Sequence, residues 1–343
     1  MRKIVFRICL VFVIFILITL IGLLINHAVF DYQYSQMDTK AERLSDTEIL
    51  QIQSVYDYLL ESGKDIFPGF DGTTIDLIIF NDQYEFLICE KADASEWINI
   101  GYNDILKKNI YRRPANDPQA FAVYTADRWV GSMATQNTFN RSIYMTMKEQ
   151  AGIFGYLIPP QIFHADAAYY KGTVIHEMLH AFQAQENQVR VDSAASAHDI
   201  SSDYYDNERF ESLIRSEGEY LQKALDAESR EETLRYVALF LDARETRRTE
   251  CGLTSDEISM EREFEWLEGM ARYAEYQSSK DSKSIIRSSL GKIIDKVKVK
   301  SDDRYYSLGL AEGLILDKLG VDWKDSAFSG EFVFEDALAR SSG

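Results

Sequence analysis

The sequence predicts an α+β fold that is preceded by a single transmembrane helix. An unbroken uncharged run at residues 8–25 is long enough to cross a bilayer. Segments rich in β-branched residues follow in the first half of the chain, and segments with helical periodicity fill the second half. Strands that come first and helices that come later are typical of an α+β arrangement.

The apolar run carries flanking positive charge at one end. Arg2, Lys3 and Arg7 precede it, and the residues just after it show no basic excess. The positive-inside rule then places the N-terminus in the cytoplasm and the chain after about residue 28 outside. A cleaved signal peptide, which would give a secreted protein, is the alternative, although residues 26–28 make a poor cleavage site. We therefore expect an uncleaved signal anchor in the cell membrane.

The chain divides into four predicted regions. They are a transmembrane signal anchor (1–28), a juxtamembrane linker (29–45), an α/β part (46–187) and a helical C-terminal part (188–343). The α/β part opens with a helix that runs to about Leu60. Ser45 and Glu48 have the spacing of a capping box at its start.

Alternating and β-branched segments predict a small mixed sheet in the α/β part. Residues 73–80 and 84–89 flank Asn81-Asp82 and predict a hairpin. Further strands are predicted at residues 119–124, 129–134 and 142–147. The last of these lies shortly before the most informative motif of the chain.

Helices dominate the prediction after a polar loop at residues 191–207. Leucine spacing indicates a first helix from Glu208 and a second that ends near Arg244, Arg247 and Arg248. Three more helices are predicted at residues 264–276, 284–297 and 305–319, with Gly320 as the C-terminal cap of the last one.

Charge and cysteine content exclude some classes of protein. The formal net charge is −18, which argues against nucleic acid and anionic membrane surfaces as partners. Cys89 and Cys251 lie outside the apolar run and could form a disulfide, but two cysteines do not make a disulfide framework. Separate burial of each cysteine is an equally good interpretation.

Residues 176–180 form the most informative motif, His176-Glu177-Met178-Leu179-His180. Histidines four residues apart lie on one face of a helix, about 40° apart around its axis. Both imidazoles can therefore bind one metal ion, with Glu177 beside it as general base for a zinc-bound water. The motif predicts a Zn²⁺ site, and the alternative is a buried helix whose two histidines only form hydrogen bonds.

A catalytic zinc site needs a third protein ligand besides the two histidines. One known arrangement would require a histidine at position 186, where this chain has Glu186. His164 lies in an irregular proline-containing stretch, and His198 lies in the predicted polar loop. The remaining choice is a carboxylate on a later helix.

Glu268 is the best candidate for that carboxylate. Small residues follow it, Gly269 and Ala271, which would let its helix approach the motif helix closely. Arg272 and Glu275 share its helical face and are candidates for holding the ligands in place.

Other glutamates remain alternatives to Glu268. Glu217 and Glu312 also precede glycines on predicted helices, although the neighbours of Glu217 predict a surface or supporting position. The helix of Glu268 could also be an amphipathic helix with a solvated acidic stripe, which would include Glu261, Glu263, Glu265 and Glu268.

The two motifs together resemble the gluzincin zinc metallopeptidases. The motif helix and the later helix with Glu268-Gly269 carry the resemblance, which extends to a poorly characterised group of bacterial predicted metallopeptidases. The similarity covers residues 170–323, including segments around Glu217 and Glu312. It implies a zincin-like domain, bound Zn²⁺, and a peptide or protein substrate. By analogy with zincins, residues 142–147 would be the edge strand that lines the substrate cleft.

The predicted chemistry is hydrolysis of a peptide bond by a metal-activated water, with Glu177 as general base. A hydrogen-bond donor should stabilise the oxyanion, and the sequence offers Tyr169, Tyr170, His164, Arg272, Tyr305 and Tyr306. Two other functions remain open, a non-catalytic surface-anchored binding or sensor domain and a zinc hydrolase of a non-peptide bond. An intact Glu177 argues against the first of these.

Overall fold

The computed structural model describes residues 2–72, 74–92, 96–125, 127–196, 204 and 206–341. It confirms an apolar N-terminal helix, a mixed sheet and a predominantly helical second half. The helices are α1 (Arg2–Gln36), α2 (Asp46–Tyr58), α3 (Lys64–Ile66), α4 (Gln136–Ala151), α5 (Ala167–Ala195), α6 (Glu208–Asp226), α7 (Arg230–Glu250), α8 (Ser255–Phe264), α9 (Met270–Ser278), α10 (Ile285–Leu290), α11 (Ile293–Lys296), α12 (Asp303–Lys318) and α13 (Phe334–Ser341). The strands are β1 (Asp76–Phe80), β2 (Tyr84–Cys89), β3 (Ile98–Asn103), β4 (Lys108–Pro114), β5 (Phe121–Thr125) and β6 (Arg128–Ala134).

Helix α1 is long and apolar enough to cross a membrane. It continues without a break to Gln36, so the first residues of the predicted linker are helical. Its last turns are fixed to the domain. Asp31 accepts hydrogen bonds from Lys148 Nζ at 2.8 Å and from the Tyr144 hydroxyl at 2.9 Å. The His27 imidazole Nε2 lies 2.9 Å from the carbonyl oxygen of Ile158. The apolar helix and the domain are therefore joined by packed contacts.

The six strands form one sheet in the order β3-β4-β2-β1-β6-β5. Strands β1 and β6 are parallel, and the other neighbouring pairs are antiparallel. The predicted hairpin is confirmed as β1 and β2, where Ile79 faces Phe86, and Thr73 lies outside the described residues. Strands β3 and β4 are not predicted by the sequence. Strand β3 is mostly exposed, and its pairing with β4 is interrupted by a bulge between Asn99 and Gly101.

Helix α5 lies directly on strand β6. A Cβ atom at Gly131 of β6 would be 2.9 Å from the Cα atom of Met178, in the middle of the motif. Any larger residue at this position would push the helix away from the sheet. The glycine therefore sets the height of the motif above the sheet.

The strand predicted at residues 142–147 is wrong, because these residues lie inside α4. Thr135 caps that helix by accepting a hydrogen bond from the backbone N–H of Thr138. The buried positions are Thr138, Asn140 and Tyr144, whereas Met145 is 54% exposed. A short apolar run is compatible with both the strand period of two and the helical period of 3.6 residues. Here the run lies inside a capped helix.

The second half differs from the prediction in detail. Helix α5 continues to Ala195 past a non-helical Asn187, so the predicted polar loop is helical at its start. Residues 197–203 and 205, which include His198, lie outside the described residues. The helix predicted at 284–297 is split into α10 and α11, and α13 is not predicted by the sequence. Gly320 has φ +65° after α12, as a C-terminal cap requires.

The two cysteines outside α1 are separate. Cys89 is buried in β2 and Cys251 is partly buried after α7, and both are free thiols. The disulfide alternative is therefore wrong. Burial raises the pKa of Cys89 to about 11, so this thiol is protonated at neutral pH.

Candidate metal centre

Helix α5 carries the motif in its buried middle. The side chain of Asp166 caps the helix by accepting a hydrogen bond from the Tyr169 backbone N–H at 2.8 Å. The same carboxylate accepts the backbone N–H of Ser284 at 3.1 Å, which ties the start of α5 to the chain before α10. His176 and His180 are buried, and their ring centroids are 4.8 Å apart. A single helix therefore presents both imidazoles to one point.

Glu268 meets the two histidines from a π-helical turn, Glu265–Gly269, between α8 and α9. Its Oε2 atom lies 3.4 Å from the Nε2 atoms of both His176 and His180. The three ligand atoms are all within 4.8 Å of one another. The structure thus brings together the three residues that the sequence proposes as ligands. Single π-helical turns of this kind are frequent at functional sites.

The π-helical turn rests on α12 without an intervening side chain. A Cβ atom at Gly269 would lie 2.6 Å from the Cα atom of Gly309, and one at Gly309 would lie 2.6 Å from the carbonyl oxygen of Glu265. Gly269 therefore allows a close approach to α12, whereas the sequence predicts a close approach to the motif helix. This contact fixes the backbone that carries Glu268.

The outward nitrogen of His176 is held by a carboxylate, as the sequence predicts. Its Nδ1 atom lies 3.2 Å from Glu275 Oε2, and Arg272 Nη1 donates a hydrogen bond to the same oxygen at 2.8 Å. Glu275 is 1% exposed, so this pairing is shielded from water. Partners of this kind orient a histidine ligand and make it a stronger base.

The outward nitrogen of His180 is held by Gln183, a residue that is not predicted from the sequence. Its Oε1 atom lies 2.9 Å from His180 Nδ1, and its Nε2 atom donates to the carbonyl oxygens of Trp266 and Leu267, both at 3.1 Å. Since two carbonyls fix the amide nitrogen, the amide oxygen must face the imidazole. His180 Nδ1 is then a donor, and its Nε2 presents a lone pair. The spacing of three residues from His180 was the available signal in the sequence.

Acceptor atoms converge at the centre of this group. Glu268 Oε2 is buried and has no hydrogen-bond donor among the described residues. With Nδ1 of His176 facing Glu275 and Nδ1 of His180 facing Gln183, both Nε2 atoms can offer lone pairs to the same point. Two imidazole nitrogens and one carboxylate oxygen are a typical ligand set of catalytic zinc. The residues present therefore fit a divalent metal.

Burial and mutual contact determine the pKa values of the histidines and carboxylates in this group. Burial lowers the pKa of His176, but contact with Glu268 and Glu275 outweighs this and raises it to about 10. The imidazoles hold the pKa of Glu268 well below its usual range despite burial. Burial raises the pKa of Glu177, which the two imidazoles only partly offset. Glu177 is therefore more basic than an exposed carboxylate.

The group opens into a cleft of about 410 Å³. One wall is formed by residues 119–121, which lead into β5 at the edge of the sheet, and the other by Leu267 and Tyr306. The Phe121 ring lies 4.6 Å from the His180 ring, centroid to centroid. Strand β5 therefore occupies the place beside the motif that is predicted for residues 142–147.

Of the six predicted oxyanion donors, Tyr306 lines this cleft. Its ring is stacked at 6.2 Å from His176, and burial raises its pKa, so the hydroxyl stays protonated and can donate. Other candidates are engaged elsewhere. Arg272 pairs with Glu275, Tyr305 donates to Glu261 at 2.9 Å, and Tyr170 donates to the carbonyl oxygen of Ala134 at 2.7 Å. Tyr169 and His164 are not among the described residues that line the cleft.

The two alternative glutamates do not take part in the metal group. Glu217 and Glu312 are both fully buried, and Arg244 lies between them at 3.0 Å and 3.2 Å. The surface position predicted for Glu217 is therefore wrong. The solvated acidic stripe is wrong as well, because Glu261, Glu265 and Glu268 are at most 5% exposed.

No protein-family model, no curated protein and no solved structure matches the chain. The gluzincin resemblance therefore stays a prediction that rests on the motif helix and the helix of Glu268.

Proposed function

We propose that this protein is a membrane-anchored, extracytoplasmic zinc metallopeptidase. The observation that carries the proposal is the convergence of three buried acceptor atoms, from His176, His180 and Glu268, in a cleft that also contains Glu177. Buried acceptors of this kind are costly unless a cation binds them; the raised pKa of His176 shows that the group favours a bound proton, which a metal ion would replace. The position of a carboxylate beside that point supports hydrolysis over metal storage.

The edge strand supports an extended peptide as substrate. Strand β5 pairs with β6 on one side and forms an edge of the sheet on the other. An exposed edge can accept a further strand through main-chain hydrogen bonds. A peptide paired with β5 would pass the imidazoles, because residues 119–121 and His180 line the same cleft.

Each residue of the cleft has a separate role in the proposed hydrolysis. Zn²⁺ held by His176, His180 and Glu268 would lower the pKa of a bound water towards about 7 and polarise the substrate carbonyl. Glu177 accepts the proton of the attacking water and delivers it to the leaving amine as the C–N bond breaks. Tyr306 donates a hydrogen bond to the carbonyl oxygen as it gains negative charge.

The proposal is tested by comparing metal content and peptide cleavage in four variants. His176→Ala and Glu268→Ala should lose metal and activity together. Glu177→Gln should retain metal and lose most of its turnover, because an amide cannot accept the proton. Glu186→Gln makes the same chemical change at an exposed position of α5 and should behave as the parent protein.

Two results would contradict the proposal. Wild-type cleavage by Glu177→Gln would remove the hydrolytic mechanism. A parent protein that binds zinc but cleaves neither casein nor peptides would favour a binding or sensor domain, or a hydrolase of another bond.

A further inference from the structure

An uncharged segment beside α1 exposes apolar side chains. Residues 150–163 contain no charged side chain. Within them, the 3₁₀ helix Gly152–Leu157 leaves Phe154 69% exposed and Leu157 49% exposed. Large apolar side chains grouped on a surface mark a place where something other than water is bound.

This segment packs against α1 at two levels. Near the end of the apolar run, the side-chain amides of Asn26 and Gln161 exchange hydrogen bonds at 2.9 Å. Further towards the N-terminus of α1, the side chains of Leu20 and Leu24 meet the 3₁₀ helix. Together with Tyr156 and Leu157 they line an apolar cavity of about 280 Å³.

Contact with Leu20 and Leu24 determines the depth of the segment. At about 1.5 Å of rise per residue, Leu20 lies about 9 Å from Asn26 along the helix axis. The uncharged run 8–25 is about 27 Å long, which is slightly shorter than a hydrocarbon core of about 30 Å, so the whole run is needed to cross it. A spanning α1 must therefore place Leu20 and Leu24 inside the hydrocarbon, and the side chains that touch them lie at that depth too.

We propose that residues 150–163 form a second membrane-binding element, which inserts Phe154 and Leu157 into the leaflet facing the domain. The inference rests on the anchoring part of the proposed function and is independent of hydrolysis. Lipid acyl chains are the occupant because the apolar surface is continuous with the exposed apolar face of α1. Apolar faces of interfacial elements are buried by about 5–10 Å, which matches the depth derived from α1.

Polar contacts above the segment fit the headgroup level. Lys148 and Asp31 form an ion pair at 2.8 Å, and Lys148 also lies over the Tyr156 ring at 5.0 Å. Tyrosine and lysine beside an apolar surface are typical of the membrane interface. The charged groups nearest to the segment, Lys148 on α4 and Asp31 on α1, thus lie on the side of the domain, and the segment itself carries no charge.

The test measures membrane depth in the full-length protein in phosphatidylcholine nanodiscs. Nitroxide labels are placed at Phe154→Cys and Leu157→Cys, in a background with Cys9 and Cys251 replaced by alanine. Reference labels are placed at Ile16→Cys on α1 and at Val189→Cys, a residue of α5 that is 81% exposed. Collision of each label with oxygen, which enters lipid, is compared with collision with a water-soluble nickel chelate.

We expect the oxygen-to-nickel ratio at 154 and 157 to be several-fold higher than at 189 and similar to that at 16. Ratios at 154 and 157 equal to the ratio at 189, with 16 in lipid, would overturn the inference. A ratio at 16 as low as at 189 would overturn it as well, by removing the anchor. Phe154→Trp provides a label-free check, since brominated phosphatidylcholine should quench its added fluorescence and spare that of Val189→Trp.

Discussion

At the scale of single residues, the supporting partners of the two imidazoles differ in charge. Glu275 is an anionic partner that is itself neutralised by Arg272, whereas Gln183 is a neutral amide fixed by two carbonyl oxygens. An anionic partner increases the basicity of an imidazole more than a neutral one does. His176 should therefore be the more strongly donating of the two nitrogen ligands.

We predict that Glu275→Gln lowers zinc affinity by about 10–100-fold without removing the site, because the ligands remain but the charge behind His176 is lost. Affinity is measured by competition with a chromogenic chelator. Glu186→Gln serves as control and should leave the affinity unchanged. Equal affinity in both variants would show that Glu275 does not support the ligand.

The residues of the site differ in how well sequence could identify them. His176, Glu177 and His180 follow from the period of one helix, which fixes a common face whatever the helix packs against. The choice of Glu268 depends on which later helix meets α5. Gly269 does indicate a close contact between helices, but the helix that it contacts is α12 and not α5. Glu217 was misplaced because its arginine partners lie on α7, and pairing between helices is not visible in the order of residues.

At the scale of secondary-structure elements, buried charges join several helices behind the metal group. Arginines on α7 pair with glutamates on α6, α8, α12, α13 and the π-helical turn; the members are Arg244, Arg247, Arg248, Glu217, Glu261, Glu265, Glu312 and Glu335. The group has more carboxylates than guanidinium groups. Burial and the neighbouring carboxylates raise the pKa of Glu312 well above its usual value although Arg244 opposes them, which favours its protonated form.

We predict that Glu312→Gln costs less than about 1 kcal/mol of unfolding free energy, because the raised pKa favours the neutral acid, which glutamine resembles. Glu217→Gln, equally buried, removes the charge that faces Arg244 and Arg247 and should cost about 3–5 kcal/mol. Denaturant unfolding of the two variants at pH 7 measures both quantities. Similar losses in the two would mean that Glu312 is ionised.

The contact between the π-helical turn and α12 gives a second prediction at this scale. Gly309→Ala places a methyl group 2.6 Å from the Glu265 carbonyl oxygen, so α12 or the turn has to move. We expect a loss of about 1–3 kcal/mol in stability, as for overpacking, together with weaker zinc binding because Glu268 shifts. Gly291→Ala, whose Cβ would be 3.4 Å from its nearest neighbour, should change neither. Destabilisation without any change in zinc affinity would separate the contact from the site.

The elements that sequence predicted poorly are those with weak patterns. Strands β1, β2, β5 and β6 have β-branched or alternating residues and were predicted, whereas the mostly exposed β3 was not. Residues 142–147 carry a pattern that is compatible with a strand, yet they bury a single tyrosine on a capped helix. Local sequence does not decide such cases, because packing against distant residues does.

At the scale of the whole molecule, the orientation of the protein across the membrane remains a prediction from Arg2, Lys3 and Arg7. A reporter that is active only outside the cytoplasm, fused after Gly343, should be active, and the protein should stay in the membrane fraction. A soluble product that begins near Ala28 would instead show signal-peptide cleavage.

The unbroken course of α1 into the domain has a consequence for substrate choice. Asp31 and His27 join the helix to α4 and to the chain around Ile158, and these contacts would restrict the orientation of the domain above a bilayer. With the proposed anchoring and peptidase activity, a cleft held this way would meet a neighbouring membrane protein at one constant height. An extended chain advances about 3.3 Å per residue, so that height corresponds to a set number of residues between a substrate's own membrane span and its scissile bond. Cleavage would then be selected by position along the substrate as much as by side-chain identity.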